Sequence, residues 1–152
     1  MDYFGNINIY GENSKIYLNA SPDSNNPFNG LVCNDYVAPD VVYGDIVFFD
    51  INQNNWRKSC ANDVNTLPAR GIACDSYTKV WVKVPILLYG FFFSPNSTNN
   101  ITKSQLWLSD ITPGLFTNDR PTTFGHYCQT LGTAKTSQIY FFDFCPFYIN
   151  IG

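Results

Sequence analysis

The stretch GDIVFFDINQNNWRK (Gly44–Lys58) decides the fold, because it is an apolar strand, an Asp-led turn rich in asparagine, and a return strand that opens on an aromatic residue. It is echoed by SQLWLSDITPGLFTN (Ser104–Asn118), again a strand, an aspartate, a turn and an aromatic return, at an offset of roughly 60 residues. The segments that follow match as well. LPARGIACDSYTKVWVKV and CQTLGTAKTSQIYFFD set Gly71 against Gly132, Ala73 against Ala134, and Val80-Trp81-Val82 against Ile139-Tyr140-Phe141. Each unit then reads as a hairpin, a loop and two further strands. Two such weakly related hairpin units predict an all-β fold, a small β-barrel or sandwich.

Composition agrees. The 152 residues include 13 Phe, 10 Tyr and 3 Trp against one Met and a single glutamate, Glu12. Aromatic and β-branched residues suit a pleated, half-buried surface, and straight-chain helix formers are scarce. Strand-like runs recur between turn signals: NINIYG, SKIYLNA, DIVFFDI, KVWVKVPILLYGFFF, QLWLS, HYCQTLGTA and QIYFFDF. No window has helical periodicity. The length suits one domain. Residues 1–30 are read as N-terminal strands and a loop, 31–143 as the barrel core, and 144–152 as an aromatic C-terminal tail. DSNNPFNG and SPNSTNNITKS read as surface loops.

Charge excludes several function classes. The formal net charge is −3, and the 9 basic residues form no cluster that could neutralise a run of phosphates, which argues against nucleic acid as a partner. No apolar run reaches the roughly 20 residues of a membrane span, and MDYFGN has neither a basic nor an apolar leader region, so neither membrane nor export is expected. Cys33, Cys60, Cys74, Cys128 and Cys145 are odd in number and lack a C-x-x-C pair, which predicts free thiols rather than a disulfide framework or zinc site. The sequons at Asn19, Asn96 and Asn100 are read as chance products of an asparagine-rich chain.

Asp110 and Asp119 precede the only histidine, His126, and invite an acid/base reading. Asp at a strand end commonly accepts hydrogen bonds from turn amides, and Asp50 stands in the matching place of the first unit, so these carboxylates are read as turn chemistry. His126 with Ser109 or a cysteine lacks any nucleophile-elbow or cysteine-protease signature. A lone histidine without clustered carboxylates makes no metal site, and no phosphate-binding glycine loop occurs. The expectation is a protein that is not an enzyme, with no catalytic residues, no metal and no cofactor.

The aromatic surplus is the positive feature. ILLYGFFF (Ile86–Phe93) and YFFDFCPFYINIG (Tyr140–Gly152) put large apolar residues at consecutive positions, so strand alternation sends some to each face. If the barrel buries only one face, a neighbouring subunit or partner covers the other. Phe91, Phe93, Phe147, Tyr148, Ile149 and Ile151 are therefore the candidate interface residues.

Set in order, Gly44-Asp45, Trp56-Arg57-Lys58, Pro68 to Ala73, Tyr89-Gly90, Leu106 to Thr117 with Pro121, and Leu131 to Ala134 form a pattern. It resembles the small β-rich virion proteins of tailed bacteriophages, the capsid decoration (auxiliary capsid) proteins and head-fibre domains. The resemblance runs from about Gly11 to Asp143 and carries no catalytic signature. It departs at Ser104, where the pattern has glycine, and in the added tail CPFYINIG. What it implies is an auxiliary protein on the outside of a phage capsid, assembled in the host cytoplasm, with sister subunits and the major capsid protein as partners. The alternative it implies is a head-fibre or tail-associated module that binds host-surface glycans.

Overall fold

The computed structural model describes residues 18, 20–95 and 104–152. The expected strands NINIYG and SKIYLNA lie outside them apart from Leu18 and Ala20, as do the three sequon asparagines and all but the ends of SPNSTNNITKS. The described chain folds into eleven strands: β1 (Phe28–Asp35), β2 (Ile46–Asp50), β3 (Asn55–Lys58), β4 (Gly71–Ala73), β5 (Val84–Phe93), β6 (Gln105–Leu108), β7 (Phe116–Thr117), β8 (Tyr127–Cys128), β9 (Thr130–Ala134), β10 (Ile139–Asp143) and β11 (Ile149–Asn150). A single 3-10 turn (Val64–Thr66) is the only helix among the described residues. The fold is all-β, and its main sheet is strongly curled.

Antiparallel pairing gives the order β3-β2-β4-β5-β10-β9-β6-β7, with β1 also on β5. β1 runs along β5 from Val84 to Phe92, so β4 and β10 divide the other edge of that strand. β4 takes Ile86 and Leu87, and β10 takes Tyr89 to Phe93. The long strand is thus shared by two arms. One arm is β4-β2-β3 and the other is β10-β9-β6-β7, each containing a hairpin whose first strand pairs with a later strand that pairs in turn with its neighbour. That is the repeated unit the sequence predicts.

Two strand expectations need correction. KVWVKVPILLYGFFF does not run as a strand from Lys79, because extended pairing starts at Val84 and Trp81 has φ +69°. The strand matching Ile139-Tyr140-Phe141 is therefore the one through Ile86, which pairs with Ala73 as Tyr140 pairs with Ala134. β1 is unanticipated. Asn29, Gly30, Asn34 and Asp35 are poor strand formers, and tertiary pairing with β5 overrides their preference. Gly30 and Gly90 lie opposite each other, so close that a Cβ on Gly30 would sit 2.0 Å from the Tyr89 carbonyl oxygen.

Between the arms lies the larger core. Ile46, Ile72 and Leu87 of the first arm and β5 meet Leu106, Leu108, Leu131, Tyr140 and Phe142 of the second. A second core occupies the outer face of the first arm, where Val37, Ala38 and Val41 cover Val47, Trp56, Ala73, Val84 and Ile86. The Ala38 amide donates to the Trp56 carbonyl (2.8 Å) and the Trp56 amide to the Tyr36 carbonyl (2.9 Å), which fastens that cover. On this arm the second face, including Ile86 of the ILLYGFFF run, is covered by the chain itself. The chain supplies its own third layer, and each large side chain it shields is worth roughly 1.5–3 kcal/mol.

Gln129, fully buried between β8 and β9, ties the arms together. Its Oε1 accepts from the Ala69 amide (2.8 Å), and its Nε2 donates to the carbonyls of Ala69 (2.9 Å) and Cys145 (2.7 Å). One buried amide of the second arm thus satisfies two backbone groups of Ala69, in the β3–β4 connection of the first arm, and one of Cys145 in the tail.

Candidate functional site

The C-terminal tail, predicted to leave the regular sheet near Cys145, leaves it after Asp143. It then forms a small second sheet with its own chain. Ile149 pairs with Cys128 and Asn150 with Tyr127. The Ile151 amide donates to the His126 carbonyl (2.8 Å), and the Gly125 amide donates to the Ile151 carbonyl (2.6 Å). Its backbone is therefore fixed without a second chain.

Its side chains are not covered in the same way. Phe147 is 79% exposed and Ile149 67%, and Phe124, beside the Gly125–Ile151 bond, is 82% exposed. Tyr148 packs edge-on against Tyr127 at 5.6 Å, and Ile151 is half-buried. The other two predicted interface residues have internal partners. Phe91 leans on Phe141 at 4.9 Å, and Phe93 donates its amide to the Pro27 carbonyl (2.7 Å) while its own carbonyl accepts from the Tyr43 hydroxyl. The six candidates thus separate into a tail group at an exposed apolar edge and a β5 group that is half-buried elsewhere.

Asp110 and His126 do meet, with Nδ1 3.0 Å from Oδ2. Burial opposes the charged carboxylate, but hydrogen bonds from His126 and Thr123, its own backbone amide and attraction to His126 outweigh that, and hold Asp110 below the ordinary carboxylate value. The stability this pair contributes is present above about pH 3.8 and is lost as pH falls through the lower folded value. Asp110 is therefore not the turn acceptor that the sequence suggests. Ser109 fills that role, its Oγ accepting from the amides of Ile111 (3.2 Å) and Thr112 (3.1 Å), as Asp50 Oδ1 accepts from Asn52 (2.9 Å) and Gln53 (3.3 Å). Asp119 donates its amide to Thr117 Oγ1 (3.1 Å).

All five cysteines are free. Cys60 donates its thiol to the Ser109 carbonyl (3.4 Å) and Cys128 to the Pro121 carbonyl (3.3 Å). Burial pushes the Cys74 thiol up to about 12 and raises Cys33 and Cys60, so these three sulfurs are held as thiols, not thiolate nucleophiles. Among the described residues no group of three or more His, Cys, Asp or Glu side chains could hold a metal ion.

A second surface has no counterpart among the predicted site residues. A groove of about 420 Å³ opens between the 36–39 segment, the β2–β3 turn and the 77–82 loop. Tyr36, Tyr77 and Trp81 line it together with Gln53, Asn54 and Asn55. Trp81 stands 81% exposed and edge-on to Tyr36 at 6.1 Å, and Lys83 Nζ lies 5.3 Å from the centre of the Tyr36 ring. Among the described residues Asn54 (φ +52°) and Trp81 (φ +69°) are the only non-glycine residues with positive φ, and both face this groove. A bulky residue there costs roughly 1–3 kcal/mol. The one signal in the sequence was the polar run Asn52–Asn55 ahead of Trp56, which reads equally well as turn chemistry alone.

Compared with known proteins, the chain matches no family model, no curated protein and no solved structure.

Proposed function

We propose that the chain is an auxiliary capsid protein of a tailed phage, docking on the major capsid protein through the edge made by Phe124, Phe147 and Ile149. The carrying observation is that the tail backbone is already paired to β8 while these side chains stay exposed. An apolar edge ordered before binding loses little conformational entropy on docking. Each large side chain buried there adds roughly 1.5–3 kcal/mol. The resemblance of the strand and turn pattern to virion proteins supports the same reading.

Binding the assembled shell and not its separate subunits would stabilise the shell by mass action, and a symmetric lattice offers many such sites. The test is the double variant Phe147→Ser/Ile149→Ser, which leaves the β8–β11 backbone pairing in place. Mixed with empty capsids and sedimented, the wild type should travel with the capsids, and the variant should remain in the supernatant with its melting temperature unchanged. Equal decoration by both proteins, or none by the wild type, would overturn the proposal.

A further inference from the structure

The groove beside Trp81 is remote in its chemistry from the apolar tail edge, and we infer that it is a saccharide-binding site formed by Tyr36, Tyr77, Trp81 and the amide row Gln53–Asn55. The inference does not rest on the capsid reading.

Three observations carry it. First, Trp81 is held out into solvent by a positive-φ backbone, next to a tyrosine that meets it at 89°. Sugar rings present one face of C–H groups, and an aromatic face receives it while the hydroxyls at the rim stay hydrogen-bonded. Second, three consecutive amide side chains line the groove, each able to donate and to accept. Within that row Asn55 Oδ1 is buried and has no hydrogen-bond partner, which leaves an acceptor in need of a donor. Third, the volume of about 420 Å³ falls among small-ligand sites, roughly 300–1,000 Å³.

Other ligand classes fit less well. A phosphate ligand calls for a basic cluster or a cradle of backbone amides at glycines, whereas the lining offers one lysine, Lys79, and no glycine. A proline-rich peptide would also lie on tyrosine and tryptophan faces. Proline has no N–H, however, so such a peptide leaves the Asn55 acceptor as it is. A polyol supplies O–H donors and acceptors at short intervals, the complement that a row of amide side chains calls for.

The experiment titrates the full chain with gluco-, manno-, galacto- and N-acetylglucosamine-based oligosaccharides, and with a decaproline peptide, followed by tryptophan emission and calorimetry. Saturable binding of at least one saccharide is expected. Trp81→Ala should weaken it about ten-fold or more, the equivalent of one lost stacking contact. Trp107→Phe, outside the groove, should leave the affinity unchanged and separates the Trp81 signal from general quenching. Phe147→Ser/Ile149→Ser should bind sugar normally, and Trp81→Ala should still travel with capsids, so failure of one proposal is distinguishable from failure of the other. The inference is overturned if no saccharide in the panel binds, if decaproline binds in their place, or if Trp81→Ala binds sugar as the wild type does.

Discussion

The two arms of the sheet share a strand order but not a burial plan. The first arm, β4-β2-β3, is packed on both faces, against the main core and beneath Val37, Ala38 and Val41. The second arm buries the face bearing Leu106, Leu108, Leu131, Tyr140 and Phe142. On its other face Phe141 is shielded only in part, by Tyr89 at 5.1 Å and Phe91 at 4.9 Å. Pairing explains how one motif serves both. Val47 lies opposite Gly71 and Leu106 opposite Gly132, so counting along the strands superposes Val47 on Leu106. Yet Val47 points into the outer core and Leu106 into the central one. A one-residue step exchanges the two faces of a strand. Topology can therefore repeat while the core-facing residues do not, provided that something covers the second face of one copy.

The joint between the arms should give the largest effect. Gln129→Leu keeps the volume but removes every partner of the Ala69 amide, the Ala69 carbonyl and the Cys145 carbonyl supplied by that side chain. At roughly 1–3 kcal/mol for each buried group left unsatisfied, the loss should be on the order of 3–5 kcal/mol. Urea unfolding would measure it. A loss under about 1 kcal/mol would mean that the arms are held by apolar packing alone.

The paired glycines sharpen the comparison at the next level. A Cβ on Gly132, where φ is +152°, would lie 2.0 Å from the Phe141 carbonyl oxygen, so the backbone of β10 would have to move. On Gly71, which has no positive φ, it would lie 2.5 Å from Ile86 Cγ2, a side-chain contact in the outer core. Gly132→Ala should cost about 3 kcal/mol or more, and Gly71→Ala about 1–3 kcal/mol as ordinary overpacking. Equal losses would argue that the two sites are equivalent in environment as well as in strand.

Much of this was legible in the sequence, and the exceptions have physical causes. The strands of both hairpins, β4 after the first of them, β9 and β10 after the second, and the departure of the tail from the main sheet, two residues earlier than Cys145, follow from alternation, turn residues and Pro146. β1 was hidden because Asn29, Gly30, Asn34 and Asp35 acquire strand geometry only by pairing with β5. The outer core was hidden because Val37, Ala38 and Val41 belong to a segment without strand periodicity, and their burial is a purely tertiary fact. Of the candidate interface, the tail residues follow from proline and apolar crowding. The groove at Trp81 did not, since VWVKV alternates like a strand and nothing local announces the turn that the loop takes.

The smallest effect concerns the turns, and it tests the repeat where it is closest. By the same count Asp50 corresponds to Ser109, and each caps its turn by accepting from the amides two and three residues on. Asp50→Ala and Ser109→Ala should therefore each cost about 1 kcal/mol, as loss of a side-chain cap does elsewhere. Asp50 has a second contact, Arg57 Nε at 3.9 Å, but that pair is long and its Arg57 end is solvent-exposed, so it contributes little. Asp50→Asn removes the charge and keeps the acceptor, so it should retain most of the stability that Asp50→Ala loses. Thermal melts of the three variants and of the double alanine variant would decide. The matched caps predict similar single losses that add in the double variant, whereas an Asp50→Asn loss as large as that of Asp50→Ala would assign the effect to the Arg57 pair and leave Ser109 as a cap without a counterpart.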